Sequence, residues 1–433
     1  MSNIARVAGQ AANTLVKPLE VEDVFSTYLY TGNGSTQTIT NGIDGSEGAL
    51  VWIKNRDNAF DHILFDTEQN TNIETNNTNA GQTSHDTTIT STGFSLNNGD
   101  GRYNVGAQDY VSWAFRKAPK FFDVVTYTGT GSAQSISHNL GSVPGMIIVK
   151  STSNAFNWVV YHRGTDATAP EDYITYLDLT NARSDVAGAW NDTAPTSTEF
   201  TVGTTSAVNF NGGTFVAYLF AHNNNDGGFG PDGDADIIKC GSYTGTGSAG
   251  NEVDIGFEPQ WLLTKRADST GSWYIVDNMR GFTAYPATSY SSILKPNSAD
   301  YENQELGGAY WQQHITPTGF VMDSASGSHN ASGGTYIYIA IRRGTKVPES
   351  GTEVFAIDAV NSSEPYFTSG FPIDMAFYKS TSGSSGYVSS RLTGLTEGEL
   401  DTTAAFGSAT AVGYDKMTGF LDAAGNPGVN YYA

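Results

Sequence analysis

The 433-residue sequence has a single cysteine, Cys240, so no intrachain disulfide can brace the fold, and no Cys/His cluster has zinc spacing. Charged residues make up only 15% of it, and cations are the scarcer sign: 22 Lys and Arg against 44 Asp and Glu leave a formal charge of −22. Grooves that track phosphate backbones rest on Lys and Arg, so nucleic acid is not an expected partner. No run of about 18 apolar residues occurs, and the N-terminus lacks a basic segment followed by an apolar stretch. Neither membrane insertion nor export through a secretory signal is therefore expected. The strong helix formers Leu, Lys and Glu are scarce, whereas 49 Gly and an aromatic fraction of 12% are plentiful. That balance predicts an all-β chain.

What the sequence does contain is a repeat. A turn-like hexapeptide occurs three times: YTGNGS at Tyr30 to Ser35, YTGTGS at Tyr127 to Ser132 and YTGTGS at Tyr243 to Ser248. Some 22 to 24 residues after each Tyr comes an apolar run closed by a lysine, at Lys54, Lys150 and Lys265, and a fourth such run ends at Lys379. Eight residues beyond these lysines lie His62, Trp158, Trp273 and Tyr387; twelve beyond lie Asp66, His162, Asp277 and Arg391. Three copies close with an alternating aromatic strand, YVSWAFRK, FVAYLFAH and YIYIAIRR, and the fourth stops at VNYYA. A fixed internal period decides architecture before any local propensity does.

Short runs rich in Val, Ile, Thr, Tyr and Phe, bounded by Gly, Asn, Asp, Ser and Pro, predict strands joined by turns. The expected architecture is four tandem β-sandwich repeats, the jelly roll being one form, with the last truncated. The units run over 23–118, 119–225, 235–346 and 350–433, and each of the full ones is long enough to close a core alone. Residues 226–234 read as a linker. Residues 1–22 read as an N-terminal arm, in which Ile4, Val7 and Leu15 recur at helical spacing before Pro18, giving a short amphipathic helix suited to docking.

Chemistry-bearing patterns are few. Asp232, Asp234 and Asp236 alternate as carboxylates do at the start of calcium loops, but the sixth position is Ile237 where an EF-hand has Gly, and the twelfth is Tyr243 where it has Glu. A solvated acidic linker competes with calcium there, and no other cofactor is expected. The rings at His62, Trp158, Trp273 and Tyr387 suit stacking against sugars, although large residues within strands more often fill a core. His138, His162 and His222 share the second unit, yet the positions matched to His162 are Asp66, Asp277 and Arg391, which share no ligand chemistry. A repeat-wide metal centre is thereby excluded. No G-x-S-x-G, H-E-x-x-H or Walker pattern occurs, and GTGSAG at Gly245 to Gly250 precedes no helix-forming run, so the chain does not read as an enzyme.

The string from Tyr127 to His222, fullest in YTGTGSAQSISHNLGSVPGMIIVKSTSNAFNWVVYHRG, resembles a tandem domain found in virion proteins of marine tailed bacteriophages of the cyanophage and pelagiphage type. The resemblance extends over about 400 residues. It implies a virion structural protein assembled in the bacterial cytoplasm: a tail fibre or tail-associated appendage held by residues 1–20 to other virion proteins, or alternatively a head decoration. Copies are expected, by analogy, to form a symmetric homo-oligomer such as a trimer. A host adhesin recognising surface glycans is the reading from the binding class, and a polysaccharide depolymerase the one from catalysis.

Overall fold

A computed structural model describes residues 17–432 apart from 70, 84–85, 286–289, 304, 307–308, 362–364, 381–384, 395, 409–411 and 423–430. The docking residues Ile4, Val7 and Leu15 lie outside the described residues. The chain is all-β, and its sheets are antiparallel.

One strand order recurs. In the first unit the large sheet runs Phe25–Thr31, Asp109–Arg116, Ala49–Asn55, Ile63–Asp66, Ile73–Glu74, so the closing strand lies between the first strand and the lysine-ended one. The second unit repeats this with Phe122–Thr128, Thr214–Ala221, Pro144–Ser151, Val159–His162 and Tyr173–Tyr176, and the third with Ile238–Thr244, Thr335–Arg342, Pro259–Arg266 and Trp273–Asp277. In the fourth, Gly386–Ser390 and Tyr431–Tyr432 flank Met375–Ser380. A smaller sheet accompanies each large one, such as Gln37–Thr40, Gly93–Leu96 and Thr87–Thr90 in the first unit.

The hexapeptide anchors every full unit alike. Tyr30, Tyr127 and Tyr243 stack on Tyr110, Phe215 and Tyr336 at 5.2, 5.1 and 5.0 Å between ring centroids. Their hydroxyls donate to the carbonyls of Tyr103, Val208 and His329. The second glycine of each turn, Gly34, Gly131 or Gly247, has φ of +71°, a conformation that side chains bearing a Cβ rarely adopt.

Successive side chains on a strand point to opposite faces, yet every residue of Ala49–Asn55 is buried. Val51 and Ile53 pack with Ile39, Phe94 and Leu96 of the unit's own small sheet. Leu50 and Trp52 face the other way, into a core shared with the second and third units. Phe115, Phe220 and Ile341, five residues into the three closing strands, all lie in that core, with Phe115 and Phe220 rings 5.4 Å apart and Phe115 and Trp261 5.8 Å apart. The expectation that each unit closes a core alone is thus corrected: the first three units share their largest core.

Two further boundaries change. Residues 226–234 are not a free linker, because Phe229 is buried against Phe121, pairs with Ala235, and the Gly230 N–H donates to Leu19. Residues 20–22, assigned to the arm, belong to the body: Val21 is buried, and the Val21 N–H and Glu20 carboxylate both bind the Thr345 hydroxyl. The fourth unit lies outside the three, touching the third through Ala284 N–H to Leu392 and the first through Arg56 and Asp415. Among the described residues, no helix is long and apolar enough to cross a membrane.

Candidate functional site

The seams between the first three units hold the polar groups that the repeat register aligns. The strand-ending lysines are fully buried. Each reaches a carbonyl of a neighbouring unit: Lys54 Nζ donates to Ala299 at 3.2 Å, Lys150 to Thr78 at 2.9 Å and Lys265 to Thr180 at 3.3 Å. Carbonyls of their own units complete the shells, Asn55 for Lys54, Phe156 for Lys150 and Gly271 for Lys265. The first unit therefore grips the third, the second the first, and the third the second. Burial strips water from the ammonium groups and brings all three down to about 8.

Twelve residues on, Asp66, His162 and Asp277 close the same ring. Asp66 accepts the Tyr218 hydroxyl at 2.7 Å, first unit to second, and Asp277 accepts the Trp113 indole N–H at 3.0 Å, third unit to first. Trp113 and Tyr218 stand three residues into their closing strands; Ile339 holds that place in the third unit and offers no donor. His162 instead pairs through Nε2 with the adjacent Tyr338 carbonyl at 3.0 Å. Its Nδ1 accepts the Gly164 N–H, so the ring is neutral with the proton on Nε2, and burial lowers it to about 3. Two carboxylates and one imidazole thus occupy one structural role.

The seam between the third and first units carries an ion cluster as well. Arg280 donates to Asp277 at 2.7 Å and Glu302 at 3.1 Å, and Arg56 binds Glu302 through two nitrogens at 2.9 and 3.0 Å. Burial alone would push Glu302 up; the two guanidinium groups outweigh it and hold the carboxyl at about 2. Between the first and fourth units a cleft of about 280 Å³ is lined by Tyr28, Gln37, Arg56, Asp109 and Asp415.

The stacking residues are placed differently from the glycan reading. Trp158 and Trp273 are buried, and their indole N–H groups donate to the carbonyls of Glu74 and Tyr176 across two of the seams. His62 takes the matching place at the third, beside the Lys295 backbone. None of these three rings offers a face to a sugar, so the expectation for Trp158 and Trp273 is corrected. Tyr387 is half-buried and stacks on Tyr378.

The calcium expectation is corrected too. Asp232 and Asp234 are exposed, whereas Asp236 turns inward to accept the N–H groups of Asn225 and Gly227 and the Lys239 ammonium. No group of three His, Cys, Asp or Glu able to hold a metal occurs among the described residues. His138, His162 and His222 do not converge: Nδ1 of His138 accepts from Leu140 and Nδ1 of His222 from Cys240.

One set was missed at the sequence level. Asn104, Asn209 and Asn330, each six residues before a closing strand's first aromatic, are buried and accept the N–H of Asn33, Thr130 and Thr246 in the hexapeptide turns. Their constant spacing was the available signal.

No curated protein matches the chain. The model of a domain family of unknown function, DUF7483, matches residues 20–343, which is the body built by the first three units from the Glu20 cap to the end of the third closing strand, and the chain belongs to that family.

Proposed function

We propose that this chain is a virion structural protein of a tailed bacteriophage, a tail fibre or tail-associated appendage, with residues 1–20 docking it to other virion proteins. The observation that carries the reading is the closed ring of buried seam bonds. Lysines, carboxylates, histidine and indoles that elsewhere face ligands are here committed to neighbouring units, as suits a rigid, load-tolerant body assembled in the bacterial cytoplasm and carried on a particle. Trp158 and Trp273 are buried, so neither ring serves as a sugar-stacking platform; a host adhesin recognising glycans at loops between strands is the alternative reading.

Electron microscopy of intact virions labelled with antibody against the 20–343 body tests the assignment. Label on the tail is the expected result; label on the head moves the protein to a decoration role, and unlabelled particles overturn the proposal. Deleting residues 1–16, which leaves the Leu19 and Glu20 contacts in place, is expected to abolish incorporation while the body still folds.

A further inference from the structure

The fourth unit repeats the layout of the other three but leaves one face open. Counting back from each strand-ending lysine, Ala376 and Tyr378 match Val51 and Ile53, and both are buried in the fourth unit's own core. Met375 and Phe377 match Leu50 and Trp52, Met146 and Ile148, Trp261 and Leu263. In the first three units all six of these side chains are at most 3% exposed, because the shared core covers them. Met375 and Phe377 are 57% and 56% exposed. Leu400, 54% exposed, lines a cleft with Phe377, and Phe406, just before the Gly407–Ser408 strand, adds a further 51% exposed ring beside Gly398. Lys379, the counterpart of three fully buried lysines, is exposed as well.

We infer that the open face of the fourth unit is a self-association surface on which the fourth units of three copies of this chain meet about a three-fold axis. The first three units supply the template. In them the same sheet face, at the same register positions, packs against two others of its kind, and the seams close in a cycle of three. A face of this composition left in water is costly, since burying large apolar side chains is the main driving force for association. Three identical copies satisfy it by closed symmetry. The association covers Met375 and Phe377 and encloses Lys379, whose ammonium then has the neighbouring carbonyls that Lys54, Lys150 and Lys265 find within one chain. The inference is independent of the virion assignment, because purified protein alone tests it.

Sedimentation velocity of the full chain is expected to give three times the 46.1 kDa chain mass. The variants Met375→Asp and Phe377→Asp are expected to sediment as single chains with the thermal unfolding of the three-unit body unchanged. Peroxide oxidation of the wild-type protein supplies a measurement that needs no variant: Met375 is expected to resist as buried Met146 does. A wild-type monomer or dimer at tens of micromolar, a trimer that survives both substitutions, or rapid oxidation of Met375 overturns the inference.

Discussion

Asp277 accepts the indole N–H of Trp113 at 3.0 Å, and that bond joins the third unit to the first, completing a ring whose other closures are Asp66 with Tyr218 and His162 with Tyr338. The same carboxylate holds the fully buried Arg280, whose guanidinium lies 5.4 Å from the Trp113 ring centroid. One side chain therefore serves a seam and a buried ion pair together.

Removing that carboxylate leaves Arg280 with only Glu302 to balance it. Asp277→Ala is expected to destabilise the body by about 3 to 5 kcal/mol, the usual result of stranding a buried charge. Trp113→Phe, which deletes only the indole donor and part of the ring, is expected to cost about 1 to 3 kcal/mol. Urea denaturation of both single variants and the double variant checks this, with a double-variant loss smaller than the sum marking the coupling.

At the first-to-second seam the effect depends on pH. Burial raises the Asp66 carboxyl, and the bonds from Gln69 and Tyr218 oppose that rise. Tyr218→Phe withdraws one of the opposing bonds, so the ionised carboxylate becomes less favourable. The loss is expected to be about 1 to 2 kcal/mol near pH 7 and smaller near pH 4, where the carboxyl can take a proton. Urea midpoints at the two pH values decide it.

Histidine burial sets an acid limit. His162 and His329 are lowered to about 3 and His222 to about 4, in each case chiefly by desolvation. The unfolded chain protonates these rings near 6.5, so between about 6.5 and 3 it binds more protons than the folded chain, and stability falls as pH drops through that window. Asp178, raised by burial to about 6, works in the opposite sense and offsets part of the slope. His162→Gln keeps a donor for Tyr338 and is expected to flatten the dependence measured by thermal unfolding between about pH 7 and 5.

The seam lysines act on the alkaline side. With folded values of about 8 against the ordinary 10.5, Lys54, Lys150 and Lys265 release protons first in the folded state. Their contribution therefore rises as pH climbs from about 8, until the buried tyrosines, which resist ionisation when folded, reverse the trend above about 10. Replacing Lys150 by Met is expected to reduce that rise by up to about 1.4 kcal/mol per pH unit, read from denaturant midpoints.

Shared packing makes the three units one cooperative body. Residues 20–343 are expected to unfold in a single calorimetric transition, and residues 23–118 expressed alone are expected not to fold, because Leu50, Trp52, Trp113 and Phe115 would face water. A dispersed NMR spectrum from the isolated first unit would contradict this.

The sequence by itself determined the β class and the recurring register of the hexapeptides, the lysine-ended strands and the closing strands, because turns and strand alternation are local and repeat with the chain. It marked Lys54, Lys150 and Lys265 and the positions eight and twelve residues beyond them, but not their purpose. Asp66 and Asp277 repeat a carboxylate where the second unit has His162; what the three have in common is a place, which exists only once three sheets turn the same face inward. Trp158 and Trp273 were equally ambiguous, since a strand indole fits a sugar platform and a core alike. Tertiary structure decided between them: a strand's second face is buried or exposed according to what packs on it, and for Trp158 and Trp273 that partner lies 84 and 97 residues away.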